Sequence, residues 1–270
     1  VTTVVRTLAV TAAQPAYELW PGPIRYDASD AATLTLSGSS VTAVANKRAG
    51  SGNLAAAGSS APTNITRVAA ARNGRDVIRY GRDMTGLGVT ASLVAGASAA
   101  ASTMWRGADF PFTAIVAYMP TDANTGFIFF AGEATGNSLD GTSLIRRTST
   151  ASSVRKVQAG TPLDANFGTG QAANVPRVVA IRHTGTTVTI WDNSTTPIIS
   201  NAAHDSATAP DATTQFRLFA SLSGSTPTDM AGTTCNMDFY EIVAVNGLRD
   251  PADIQQAMID LAAKWGITLS

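Results

Sequence analysis

The chain has a single cysteine, Cys235, so no disulfide can form within it. It has two histidines, and its only glutamates are Glu18, Glu133 and Glu241. Charged residues make up 14% of the chain, and 19 basic residues balance 19 acidic ones. A net charge of zero supplies no bulk field for nucleic acid or an anionic membrane, so neither is expected as a partner. No apolar run reaches the ~18 residues a spanning helix needs. No charged segment followed by an apolar one opens the sequence, so no secretory signal is expected. There is no fixed-period repeat and no alternation of strands with helices.

These shortages also exclude several chemistries. Two histidines and one cysteine, far apart, do not make a zinc pattern. No G-x-S-x-G elbow is present, although the many serines leave a Ser-His-Asp pairing open. "DANTGFIFFAGE" starts like a calcium loop at Asp122 and Asn124, but Phe127 stands where a glycine is required and "FIFF" reads as a core strand. Calcium on the rim of the domain stays open as a ligand, and no other cofactor is implied.

Ser, Thr, Asn, Gly and Ala fill the space that charge leaves. Such a surface suits a particle-bound or extracellular protein. Apolar residues alternate in short runs: "PIRYDASDAATLTLSGSSVTAVANK", "TRVAAARNGRDVIRYG", "PRVVAIRHTGTTVTIWDN" and "TCNMDFYEIVAVNG". "FPFTAIVAYMP" and "GFIFFAGE" are nearly continuous and should be core strands. Asn73-Gly74 and Thr184-Gly185 mark tight turns. "AGSGNLAAAGSSAPTN" reads as a small-residue loop. A dozen or so short strands with regular turn signals predict an all-β jelly-roll sandwich over residues 24–270.

The one helix is predicted near the end, in "DPADIQQAMIDLAAKWGI". Asp250 can cap it and Pro251 suits its first position. Ile254, Met258, Leu261 and Trp265 fall on one face, and Gly266 ends the pattern. Such a helix should lie on the flank of the sandwich. Residues 1–23 form a distinct arm. "VTTVVRTLAV", with Val4, Val5 and Leu8, can form a strand, and Tyr17, Leu19 and Trp20 then lie among Pro15, Pro21 and Pro23, which prevent a regular ladder; these apolar side chains need a surface to cover them. That surface is the domain's own flank, a partner protein or a sister subunit.

"FYEIVAVNGLRDPADIQQAMIDLAAKWGI" resembles the closing strand and helix of LamG-like, concanavalin A-like lectin/glucanase domains. "YDASDAATLTLSGSSVTAVANKRAGSGNLAAA" is similar to their opening segment, and "NGRDVIRYGRDMTGL" to the element that follows. The matches run in order over residues 24–267. Val44 stands where the family has tryptophan, and Arg82-Asp83 stands near its Asp-Gly. The resemblance implies a concanavalin A-like jelly roll of a kind found in bacteriophage virion proteins and bacterial surface proteins.

Hydrolases of this fold carry carboxylates at alternate positions of one strand. No such spacing surrounds any glutamate here. Asp238 and Glu241, three apart, should face opposite ways, with Glu241 a structural hydrogen-bond partner. Glu133 and Asp140 read as parts of a solvated loop. Trp105 with Arg106, and Trp191, are the candidate carbohydrate-binding side chains, because exposed aromatic faces stack on sugars. Arg146-Arg147 and Arg155-Lys156 should meet across a hairpin as a local basic spot. The expected function is a non-enzymatic phage structural protein, such as a head decoration, fibre or spike subunit. Its partners would be capsid or tail proteins and further copies of itself, and its place the virion. The alternative is a carbohydrate-binding adhesin or receptor-binding module, with a cell-surface glycan as partner and the bacterial cell surface as location. A glycoside hydrolase ranks behind both.

Overall fold

The computed structural model describes residues 14–57, 64–81, 92–96, 98–105, 110–122, 126–132, 141–147, 151–158, 161–169, 172–204, 215–219 and 236–270. Val4, Val5, Leu8, Arg106, Glu133, Asp140 and Cys235 lie outside them.

A 3-10 turn, Ala16–Leu19, precedes the first strands: β1 (Ile24–Asp27), β2 (Leu34–Ser37), β3 (Ser40–Val44), β4 (Leu54–Ala57), β5 (Ile65–Arg72), β6 (Arg75–Tyr80) and β7 (Ser92–Ala95). A four-residue helix α1 (Ala100–Thr103) separates them from β8 (Phe112–Pro120), β9 (Gly126–Gly132), β10 (Gly141–Arg147), β11 (Ala151–Gln158) and β12 (Thr161–Thr169). The chain closes through β13 (Arg177–His183), β14 (Thr187–Asp192), β15 (Ile199–Ala203), β16 (Gln215–Leu218), β17 (Met237–Asn246) and α2 (Pro251–Trp265).

Among the described residues all the pairings are antiparallel, and they build a jelly-roll sandwich. One layer runs from β1 and β6, which share an edge of β17, through β8 and β13 to β14 and β15. The other runs β3–β4–β7–β16–β9–β10–β11–β12. Inward side chains of both layers, among them Tyr26, Leu54, Phe112, Ile181, Phe216 and Ile242, fill one core.

The first layer is buried on its other face too. Ile115, Ala117, Val178, Ala180, Val243 and Val245 pack under α2 through Ile254, Met258, Leu261 and Trp265. Strands covered on both sides lose the polar half of the usual alternation, which is why β8 and β17 read as nearly continuous apolar runs. Burying the four helix side chains contributes about 1.5–3 kcal/mol each.

The helix matches the sequence reading except at its cap. Asp250 holds the N-cap position but makes no side-chain cap bond. At the other end Gly266 is left-handed (φ 60°), and the Ile267 N–H donates to the Ala262 carbonyl at 2.8 Å. The β5–β6 turn seals that end. Asn73 and Gly74 both take positive φ. Asn73 Nδ2 and Arg75 Nε each donate to the Lys264 carbonyl at 3.0 Å, and Arg72 Nε to that of Trp265 at 2.9 Å. Two guanidinium groups thus sit at the negative end of the helix dipole.

Two expectations need correcting. The stretch read as a small-residue loop contains β4. Alanine has weak strand preference, and β4 is held by ladders to β3 and β7 and by the buried Leu54. The docking role given to Tyr17 and Trp20 also fails, because both are buried on the chain's own flank among the helix-side apolar residues. Gly22 lies so close to β17 that a Cβ there would meet Val245 Cγ1 at 2.4 Å. Residues 14–23 therefore pack as part of the sandwich, and Leu19 alone of the described arm candidates is exposed.

Candidate functional site

Strand β1 alternates cleanly. Ile24 and Tyr26 enter the core, so Arg25 and Asp27 face the helix side. Opposite them, β17 shifts register between Phe239 and Glu241. That bulge reverses the parity of the strand. Asp238 pairs with Arg79 Nε at 2.7 Å, beside helix-side Val77, and Glu241 faces the same side. The expectation of opposite faces is thereby overturned, since it assumed an unbroken alternation.

Seven charges now alternate in one chain. Glu18 accepts from Arg25 Nη2 at 2.5 Å, and Arg25 Nε donates to Glu241 Oε1 at 3.2 Å. Lys264 Nζ bridges Glu241 Oε2 at 2.5 Å and Asp27 Oδ2 at 2.7 Å. Lys47 Nζ lies 3.6 Å from Asp27 Oδ2 and 2.7 Å from Asp30 Oδ2. Asp27, Asp30, Lys47, Glu241 and Lys264 come from the segments "YDASD", "VANK", "FYEIV" and "KWG", so the fold gathers at one place what the sequence spreads over 238 positions.

Burial opposes ionisation of Asp27, but the Lys264 ammonium, with Ser29 and Lys47, outweighs it and holds the carboxyl below the usual range. For Glu241 burial dominates, and the Asp27 charge adds to it, so its pKa is raised despite Lys264 and Arg25. Two neighbouring carboxylates pushed in opposite directions is a pattern that acid–base sites share. Here both grip one ammonium, and Glu241 is fully buried.

Above this network opens a concavity of about 520 Å³. Asp30, Lys47, Arg75, Asp260 and Lys264 line it, with Tyr17 at the arm side. The Tyr17 hydroxyl is buried and has no hydrogen-bond partner among the described residues. The wall therefore offers acceptors and donors side by side, on a floor fixed by ion pairs.

The aromatic candidates are placed elsewhere. Trp105 is fully buried, stacked near Phe216 at 6.1 Å and edge-on to Phe112 at 5.0 Å. It cannot offer a face to a sugar, because the "STMW" segment folds inward as α1 and fills the core. Trp191 is also buried, with its ring in the layer beneath α2. The basic spot fails on register: Ser153 stands opposite Arg146, and Arg155 opposite Ser143.

His183, the last residue of β13, and His204, just after β15, are both fully buried and in contact. Gly185 N–H donates to His183 Nδ1 at 2.9 Å, and His183 Nε2 reaches His204 Nδ1 at 3.2 Å. His204 Nε2 in turn reaches the Val154 carbonyl at 3.2 Å. This chain ties β13–β15 to β11 across the core. No signal in the sequence pairs the two histidines. Among the described residues no cluster of three or more metal-binding side chains occurs.

Sandwich and flank helix together define a jelly-roll β-sandwich closed by one C-terminal helix. No family model and no curated protein sequence matches the chain. Solved structures do match its fold. The Trypanosoma rangeli sialidase in complex with sialic acid superposes on 90% of this chain and 33% of its own, with TM-score 0.54 and 13% identity. The binding domain of Paraclostridial Mosquitocidal Protein 1 gives 0.57 and 13%, over 87% of this chain and 54% of its own. The botulinum neurotoxin serotype G binding domain gives 0.57 and 6%, over 92% and 54%. The chain thus spans a third of the sialidase and about half of each toxin domain. At such identities the likeness is one of fold.

Proposed function

We propose that the protein is a non-catalytic carbohydrate-binding module and that the polar concavity takes the sugar. The observation that carries this is the alternation of fixed donors and acceptors around a space of about 520 Å³. A pyranose presents hydroxyls that donate and accept at once, and a wall of ion-paired side chains meets both needs without reorganising. Asp30 and Lys47 are the most exposed members of the chain of charges and the first contacts for a ligand. The fold shared with two toxin binding domains supports a binding role. The pairing of both Asp27 and Glu241 to one ammonium, that of Lys264, supports a non-catalytic one. A place on a virion rests on the family resemblance alone.

A glycan array followed by calorimetry tests the proposal. Saturable binding of one glycan class is expected, weakened at least tenfold in Asp30→Ala and Lys47→Ala. A blank array, or affinity unchanged in both variants, overturns it.

A further inference from the structure

The two buried histidines stand where the layers meet. Among the described residues β15 ladders with β14 at the end of one layer, and β12 with β11 at the end of the other. His204 follows β15, and its Nε2 reaches across to the Val154 carbonyl of β11 and the Leu163 carbonyl of β12, each at 3.2 Å. His183, at the end of β13, holds the His204 ring from the other side. Val154, Ala165 and Phe167 of the bridged strands are buried in the core.

The partners leave each ring one arrangement of its protons. His183 Nδ1 accepts from the Gly185 N–H at 2.9 Å, so the His183 proton sits on Nε2. That N–H faces His204 Nδ1 at 3.2 Å and the His204 carbonyl at 3.1 Å, which both accept. His204 therefore carries its own proton on Nε2, toward the two carbonyls. A further proton would have to sit on one of the Nδ1 atoms, and each of these already faces an N–H. Two donors pressed together in the core lose a bond and bury a charge.

The described neighbours of the pair are apolar. Phe112 of β8 stacks on the His183 ring at 5.3 Å, and Val188 of β14 is its partner in the ladder. Val154, Ala165 and Phe167 come from β11 and β12. The charged side chains beside the crossing are engaged elsewhere: Arg182 Nε donates to the Arg249 carbonyl, and Asp164 accepts from Ser153. Asp205 lies outside the described residues.

We propose that the His183–His204 pair is an acid-sensitive latch, and that protonation of the two rings in mildly acidic solution frees β11–β12 from β13–β15. A released imidazole takes up a proton below about pH 6.5, and the closed pair has no place for one. The open state therefore binds more protons as pH falls, so acid favours opening and neutral pH favours closure. Opening uncovers Val154, Ala165 and Phe167, while α2 keeps its seat on the other face of β8, β13 and β17. The latch lies between the layers and does not depend on sugar binding at the polar concavity.

Hydrogen exchange, corrected for the intrinsic pH dependence of the rate, tests the latch. Each ring adds about tenfold to opening between pH 7.5 and pH 5.5, so protection of the β11–β12 amides should fall about a hundredfold. Protection in α2 and β17 should be kept. Nitrogen-15 spectra should show both rings protonated on Nε2 alone at pH 7.5. His204→Gln keeps a donor toward the carbonyls without a titrating ring, and its response should shrink to about tenfold. Unchanged β11–β12 protection in the parent chain, an equal loss in α2 and β17, or a ring that takes up a proton while β11–β12 stays protected overturns the latch. So does an undiminished response in a folded His204→Gln. If that variant does not fold, the parent measurements decide by themselves.

Discussion

Lys264, in the last turn of the closing helix, places its Nζ 2.5 Å from Glu241 Oε2 on the central strand beneath it. Glu241 is wholly buried and Lys264 nearly so. Removing one member of a buried pair strands the other's charge, at about 3–5 kcal/mol. Lys264→Met should therefore lower stability by about 3 kcal/mol in urea unfolding. Glu241→Gln in the same chain should recover a good part of that loss. If the double variant is no more stable than Lys264→Met, the two residues are not coupled as the distance implies.

Acid should act through the same network with two opposite signs. The Asp27 carboxyl is held below the usual range, so its contribution is complete above about pH 4 and disappears as pH falls through its lowered pKa. Glu241 behaves in reverse. Its raised pKa means that protonation on acidification favours the folded state and offsets part of the loss. Urea midpoints measured from pH 6 to pH 2 should fall below pH 4 in the parent chain and more gently in Asp27→Asn. An equally steep fall in Asp27→Asn would assign acid sensitivity to other groups.

Trp105 should behave as a core residue. Trp105→Ala removes a ring packed against Phe112 and Phe216 and should cost about 3 kcal/mol or more. Trp105→Phe should fold, with a lowered melting temperature, and bind glycans as the parent does. Selective loss of glycan binding in a fully stable Trp105→Phe would restore a ligand role to this residue.

Trp105 is buried by contacts that no local pattern encodes. A lone tryptophan between small residues and Arg106 looks like a loop aromatic, and nothing local says that Phe216, 111 positions away, will stack on it. The parity of β17 is a similar case. Alternation is a sound rule until a bulge interrupts it, and the bulge is set by pairing with β8. Asp27, Glu241 and Lys264 were visible as family-like motifs, but their joint role was not.

By itself the sequence determined the architecture and the closing element. Alternating apolar runs with turn signals demand a sandwich, and the spacing of Ile254, Met258, Leu261 and Trp265 demands a helix on its flank, because both are periodic properties of neighbouring residues. Only the tertiary structure decided which aromatics are buried, which face Glu241 takes and that Tyr17 and Trp20 cover their own domain. Those depend on contacts between residues far apart in the chain, where local periodicity carries no information.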